Sequence, residues 1–119
     1  MPDLNLDCTA LRTEIEKIAK FWYDKGIRGY RLDAALHYYE GNNKKSTEAL
    51  KWYYDYVESL DSSNSVVAEV WSDASALDKF YESGVDSLFN FPYGTSEGYI
   101  VLTCNRAGNG SGGGKFANF

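Results

Sequence analysis

The chain has 119 residues, enough for one domain with a modest core and too few for two. Twelve Lys and Arg against seventeen Asp and Glu give a net charge of -5, with no basic cluster beyond Lys44-Lys45, which argues against nucleic-acid or anionic-membrane partners. No apolar run approaches the roughly 18 residues of a membrane span, and MPDLNLDCTA lacks both the basic flank and the apolar core of a signal peptide.

In chain order, Leu11, Ile15, Ile18 and Trp22 recur at helical spacing, and Gly26 follows as a left-handed terminator. IRGYRLD (27–33) then reads as a strand. After the polar loop YEGNNKK, Ser46 is the expected N-cap of a helix with Leu50, Tyr53, Tyr54, Val57 and Leu60 on its apolar face. VVAEVW (66–71) reads as a short buried strand. SALDKFYES follows as a helix burying Leu77, Phe80 and Tyr81, stops at Gly84, and leads into a third strand, VDSLFNF (85–91). This α-β-α-β-α-β order predicts parallel β-α units, from either a barrel or an open doubly wound sheet, and three strands alone would leave two edges and the barrel-facing side chains uncovered. The glycine-rich tail, 105–119, fails the phosphate-loop pattern, with Asn109 at a required glycine and Phe116 where a hydroxyl should be, and is expected to be a flexible loop. Cys8 and Cys104 have no metal-ligand spacing and are expected to be free thiols.

Chemistry in parallel β-α folds collects at the carboxyl ends of the strands. Asp33 closes the first strand and Glu69 lies near the close of the second. Alternation places Arg31 on the face of Asp33, and Val67 and Trp71 on the face of Glu69. An Asp after a strand is often a helix cap, and a Glu in a strand often pairs with an Arg. Two acids on consecutive strands, however, can reach the separation of about 5 to 5.5 Å that retaining glycosidases use.

GYRLDAALH (29–37) resembles the nucleophile motif on the fourth strand of the alpha-amylase family, glycoside hydrolase family 13. AEVW (68–71) resembles its acid/base motif on the fifth strand, and MPDLN (1–5) the short motif before its third barrel helix. The three occur in family order, and the resemblance covers nearly the whole chain. It implies a partial (β/α)8 TIM barrel, a single fragment over residues 1–119 running from the third barrel helix to the start of the sixth. It also implies Asp33 as nucleophile, Arg31 holding and orienting that carboxylate, Glu69 as general acid and then base, and His37 near the sugar. Trp71 and the FPY at 91–93 would stack on glucose rings or pack in the core. Asn5 and the backbone carbonyl of His37 match positions that contribute to a structural calcium in many members, an incomplete pair, so calcium is expected only in a full-length parent and not in the fragment.

The family's Asp-x-x-x-Asn-His motif and its Asn-His-Asp motif, with the third acid, do not occur in the 119 residues. The resemblance therefore implies a piece of a retaining hydrolase of α-1,4-linked, starch-like glucans, cut at both ends and inactive alone, with an α-glucan or maltooligosaccharide as ligand. Uncovered sheet edges would favour self-association. An oligosaccharide-acting α-glucosidase or transglycosylase of the same family, and a non-catalytic sugar-binding module, are the alternatives. A flavodoxin-like domain would need an anion cradle after the first strand, and DAALHYYEGNN offers none. Localisation stays open, including a secreted full-length parent.

Overall fold

A computed structural model describes residues 3–94 and 98–101, so Cys104 and the glycine-rich tail lie outside the described residues. Helices and strands alternate: α1 (Thr9–Asp24), β1 (Gly29–Leu32), a 3-10 turn (Ala35–His37), α2 (Asn43–Leu60), β2 (Ser65–Ala68), α3 (Ala74–Tyr81), β3 (Ser87–Leu88) and the single turn α4 (Phe91–Gly94). The strands form one parallel sheet in the order β1-β2-β3. Parallel neighbours need a crossover, which α2 and α3 supply. Tyr30 stands opposite Val66, Arg31 opposite Val67, and Val67 opposite Ser87.

Period-two alternation divides the sheet into two unlike faces. Leu32, Val66, Ala68 and Leu88 point toward the helices and join Leu50 and Val57 of α2 and Leu77 and Phe80 of α3 in one core. Phe80, Leu50 and Val70 are fully buried. The Tyr30 hydroxyl donates to the Ala19 carbonyl at 2.9 Å, seating α1 on β1. Each junction is set by a local signal. Gly26 ends α1 at φ 98° and donates to the Tyr23 carbonyl at 2.9 Å, and Gly84 ends α3 at φ 88°, where an added Cβ would sit 3.1 Å from the Tyr54 ring.

Several expectations change. The helix expected to start at Ser46 begins at Asn43, because Asn42 caps it by accepting the Lys45 N–H at 3.1 Å. Ser46 is instead fully buried, its hydroxyl accepting the Tyr39 N–H and donating to the Leu36 carbonyl, thereby satisfying a turn that would otherwise hide bare peptide groups. Tyr81 is exposed: Phe80 and Tyr81 are successive on α3, about 100° apart, and Phe80 takes the inward position. On α1 the inward residue is Ala19, while Ile18 and Trp22 face outward. The strands are also shorter than 27–33, 66–71 and 85–91, since each pairs only where a neighbour runs alongside. One expectation holds: as an open three-stranded piece of a barrel should, the sheet leaves its second face uncovered among the described residues, with Gly29, Arg31, Ser65 and Ser87 all exposed. In a barrel that face is buried only by closure, and three strands do not close.

Candidate active site

Asp33 and Glu69 are set side by side by main-chain bonds. The Glu69 N–H donates to the Leu32 carbonyl and the Ala35 N–H donates to the Glu69 carbonyl, both at 2.8 Å, so Glu69 is tied to the main chain on either side of Asp33 and Ala34, just past the paired strands. The chain then turns through Ala34, a non-glycine residue at φ 47°, a left-handed conformation held by the Ala35 bond and by the His37 N–H donating to the Ala34 carbonyl at 2.9 Å. This turn keeps Asp33 out of a helix-capping role.

Arg31 lies on the same face. Its Nη2 donates to Glu69 Oε2 and lies 2.9 Å from Asp33 Oδ1 as an ion pair. Two oxygens bound to one nitrogen lie within about 6 Å of each other. Two carboxylates therefore share one guanidinium at the carboxyl end of a parallel sheet. Their surroundings differ: the Asp33 side chain is 73% exposed and that of Glu69 only 19%. One acid is open to an incoming ligand while the other is held in the wall beside it. That pairing suits attack by one carboxylate and proton transfer by the other.

Aromatic rings border the acids. The Arg31 guanidinium lies 5.6 Å from the Phe89 ring centre. Trp71 stacks on Phe91 with ring centres 4.5 Å apart and planes 10° from parallel, and Phe89 lies 6.1 Å from Phe91. Trp71 is thus held by another ring, and its other face is available to solvent at 64% exposure. The sequence reading did not single out Phe89, although alternation from Ser87 places it on the site face. Tyr38 was missed as well. Burial first, and then the negative charge of Asp33, push its phenol up to about 12.

The remaining candidates are held elsewhere. His37 Nδ1 pairs with Glu40 Oε2 at 2.8 Å, and the residue lines a cleft of about 480 Å³ with Leu32, Tyr38, Trp52 and Tyr53. Neither Asp33 nor Glu69 lines this cleft, which runs along α1 and α2 past Ile15, Ala49 and Trp52. Asn5 Oδ1 accepts the Asp7 N–H at 3.0 Å and so serves its own turn. Calcium needs six to eight oxygens, and among the described residues no three His, Cys, Asp or Glu side chains gather to hold a metal.

Comparison with known proteins extends this picture. The alpha-amylase catalytic-domain family matches residues 1–99. Alpha-amylase 3 of Dictyoglomus thermophilum is 44% identical over 92 residues, covering 77% of this chain and 18% of that protein. Maltase A2 of Drosophila melanogaster is 43% identical over 42 residues, 35% of this chain and 7% of that protein. The solved structure of Eubacterium rectale Amy13B superposes with a TM-score of 0.86 at 39% identity, covering 92% of this chain and 21% of that one. The chain thus spans about a fifth of the length of these amylases. The three parallel strands, their intervening helices and the match over residues 1–99 together show that the chain belongs to the alpha-amylase family of glycoside hydrolases, as a segment of its catalytic barrel.

Proposed function

We propose that this segment carries the nucleophile and the acid/base of a retaining hydrolase that cleaves α-1,4 bonds in starch-like glucans and maltooligosaccharides. The observation that carries the reading is the single Arg31 nitrogen shared by Asp33 and Glu69. Asp33 attacks the anomeric carbon and forms a glycosyl ester as the glycosidic bond breaks. Glu69 gives its proton to the departing oxygen, then takes one from the water that cleaves the ester and restores Asp33. Arg31 orients both carboxylates and offsets their mutual repulsion. Trp71 and Phe91 offer flat apolar surface for the C–H faces of glucose rings. The third acid of the family pattern is not among the 119 residues, so the isolated chain is expected to bind maltoheptaose weakly and not to hydrolyse it.

The test grafts residues 3–101 onto the barrel of the Dictyoglomus thermophilum amylase in place of the matching segment. The hybrid should release sugars of retained α configuration from maltoheptaose, and Asp33→Asn should lower the rate at least about a thousand-fold. Release of β-sugars, or a rate indifferent to Asp33→Asn, would refute the assignment. The match to a maltase favours a second reading, an oligosaccharide-acting α-glucosidase, which product analysis separates: glucose alone from chain ends rather than a spread of internal fragments.

A further inference from the structure

The guanidinium that serves both acids has a third neighbour. Counting two residues on from the register pairs Arg31–Val67 and Val67–Ser87 puts Asp33, Glu69 and Phe89 in one row across the open face of the sheet, with Glu69 in the middle. Main-chain bonds hold this row: the Glu69 N–H donates to the Leu32 carbonyl at 2.8 Å, and the Phe89 N–H donates to the Ala68 carbonyl at 3.1 Å. Arg31 stands on β1, two residues before Asp33, and β3 lies two strands away, about 10 Å at the usual strand spacing. Its side chain therefore reaches across β2, and its head meets every member of the row: Glu69 by a hydrogen bond, Asp33 as an ion pair at 2.9 Å, and the Phe89 ring with its centre 5.6 Å away.

These contacts differ in what they fix. Both acids meet the same nitrogen, Nη2, which leaves the guanidinium plane free to turn about that corner. Half of the Arg31 side chain is exposed, so packing alone does not stop the turn. A ring within about 6 Å does, because a planar, weakly hydrated cation is drawn to an aromatic face and the pull acts on the whole plane. Phe89 is braced in turn: Phe91 lies 6.1 Å from it, and Trp71 stacks on Phe91 at 4.5 Å. A phenyl ring has no proton to give or take. Its effect on the reaction must run through Arg31 or through the sugar itself.

We propose that Phe89 is a positioning residue for the hydrolysis, its ring steadying the Arg31 guanidinium and, through it, the interval and aim of Asp33 and Glu69. This role presupposes the glycosidase reading and names a further residue for it.

Two measurements test it. In urea unfolding of the 119-residue chain, the equilibrium constants of wild type, Phe89→Leu, Arg31→Met and the double variant should depart from additivity about 2- to 5-fold, the size of an exposed cation–ring contact. In the hybrid barrel carrying residues 3–101, Phe89→Leu should lower kcat on maltoheptaose about 10- to 100-fold with KM changed less than about 3-fold, because misaimed acids slow the step without loosening the substrate. Phe89→Tyr, which keeps the aromatic face, should recover most of that rate. Leu serving as well as Phe overturns the proposal, and a raised KM at unchanged kcat overturns it in favour of direct stacking on the sugar. A hybrid inert with Phe89 in place refutes the glycosidase reading and the positioning role with it, whereas additive unfolding constants beside an active hybrid refute the role alone.

Discussion

The two faces of one small sheet obey different rules. On the helix side, Leu32, Val66, Ala68 and Leu88 pack with Leu50 and Val57 of α2 and Leu77 and Phe80 of α3 in one apolar core. On the other side, Arg31, Asp33 and Glu69 hold one another through charge, with one of them three-quarters exposed. Residues one position apart in the same strand thus contribute to stability or to chemistry, and seldom to both. The contrast teaches that a barrel segment can keep its shape by its outer layer alone, leaving the inner face free for groups that add little to folding.

The sharpest test is to damage the enclosed face. Phe80→Ala should cost about 3 to 5 kcal/mol in urea unfolding, because a fully buried ring leaves a cavity between α3 and β3. Next comes the boundary between the faces. Tyr38 has its phenol held near 12 when folded, against about 10 when unfolded. Its stabilising share is complete below pH 10 and is lost as the pH rises from about 10 to about 12, a loss of about 2 to 3 kcal/mol. Tyr38→Phe should flatten that part of the alkaline limb in a pH series of unfolding midpoints. An unchanged limb would assign the alkaline loss to other tyrosines. The smallest effect belongs to the open face. Arg31→Met should shift stability by no more than about 1 kcal/mol, since half-exposed ion pairs are worth little, while removing hydrolysis by the hybrid barrel. A loss as large as that of Phe80→Ala would erase the distinction.

Much of this was legible in the sequence, for identifiable reasons. Gly26 and Gly84 marked the helix ends because only a left-handed residue closes those turns cheaply, and alternation put Arg31 with Asp33 because a strand allows nothing else. The sharing of Arg31 between both acids was not legible, since it depends on the register of β1 against β2 and not on either strand alone. Ser46 was misread because Asn42, four residues earlier, is an equally good cap and the polar loop gives no means of choosing between them. The outward turn of Ile18 and Trp22 was hidden for a different reason: helical periodicity reports that a stripe is apolar, not which neighbour covers it.

The main-chain bonds that straddle Asp33 act as a ruler. Side chains around the acids can be exchanged without altering the interval between them, because peptide groups fix it. Inserting or deleting a single residue in either strand would instead swing one acid through to the oily side of the sheet. Such a lesion would silence the site more thoroughly than most point substitutions, and specificity is therefore best re-engineered by substitution around an untouched backbone.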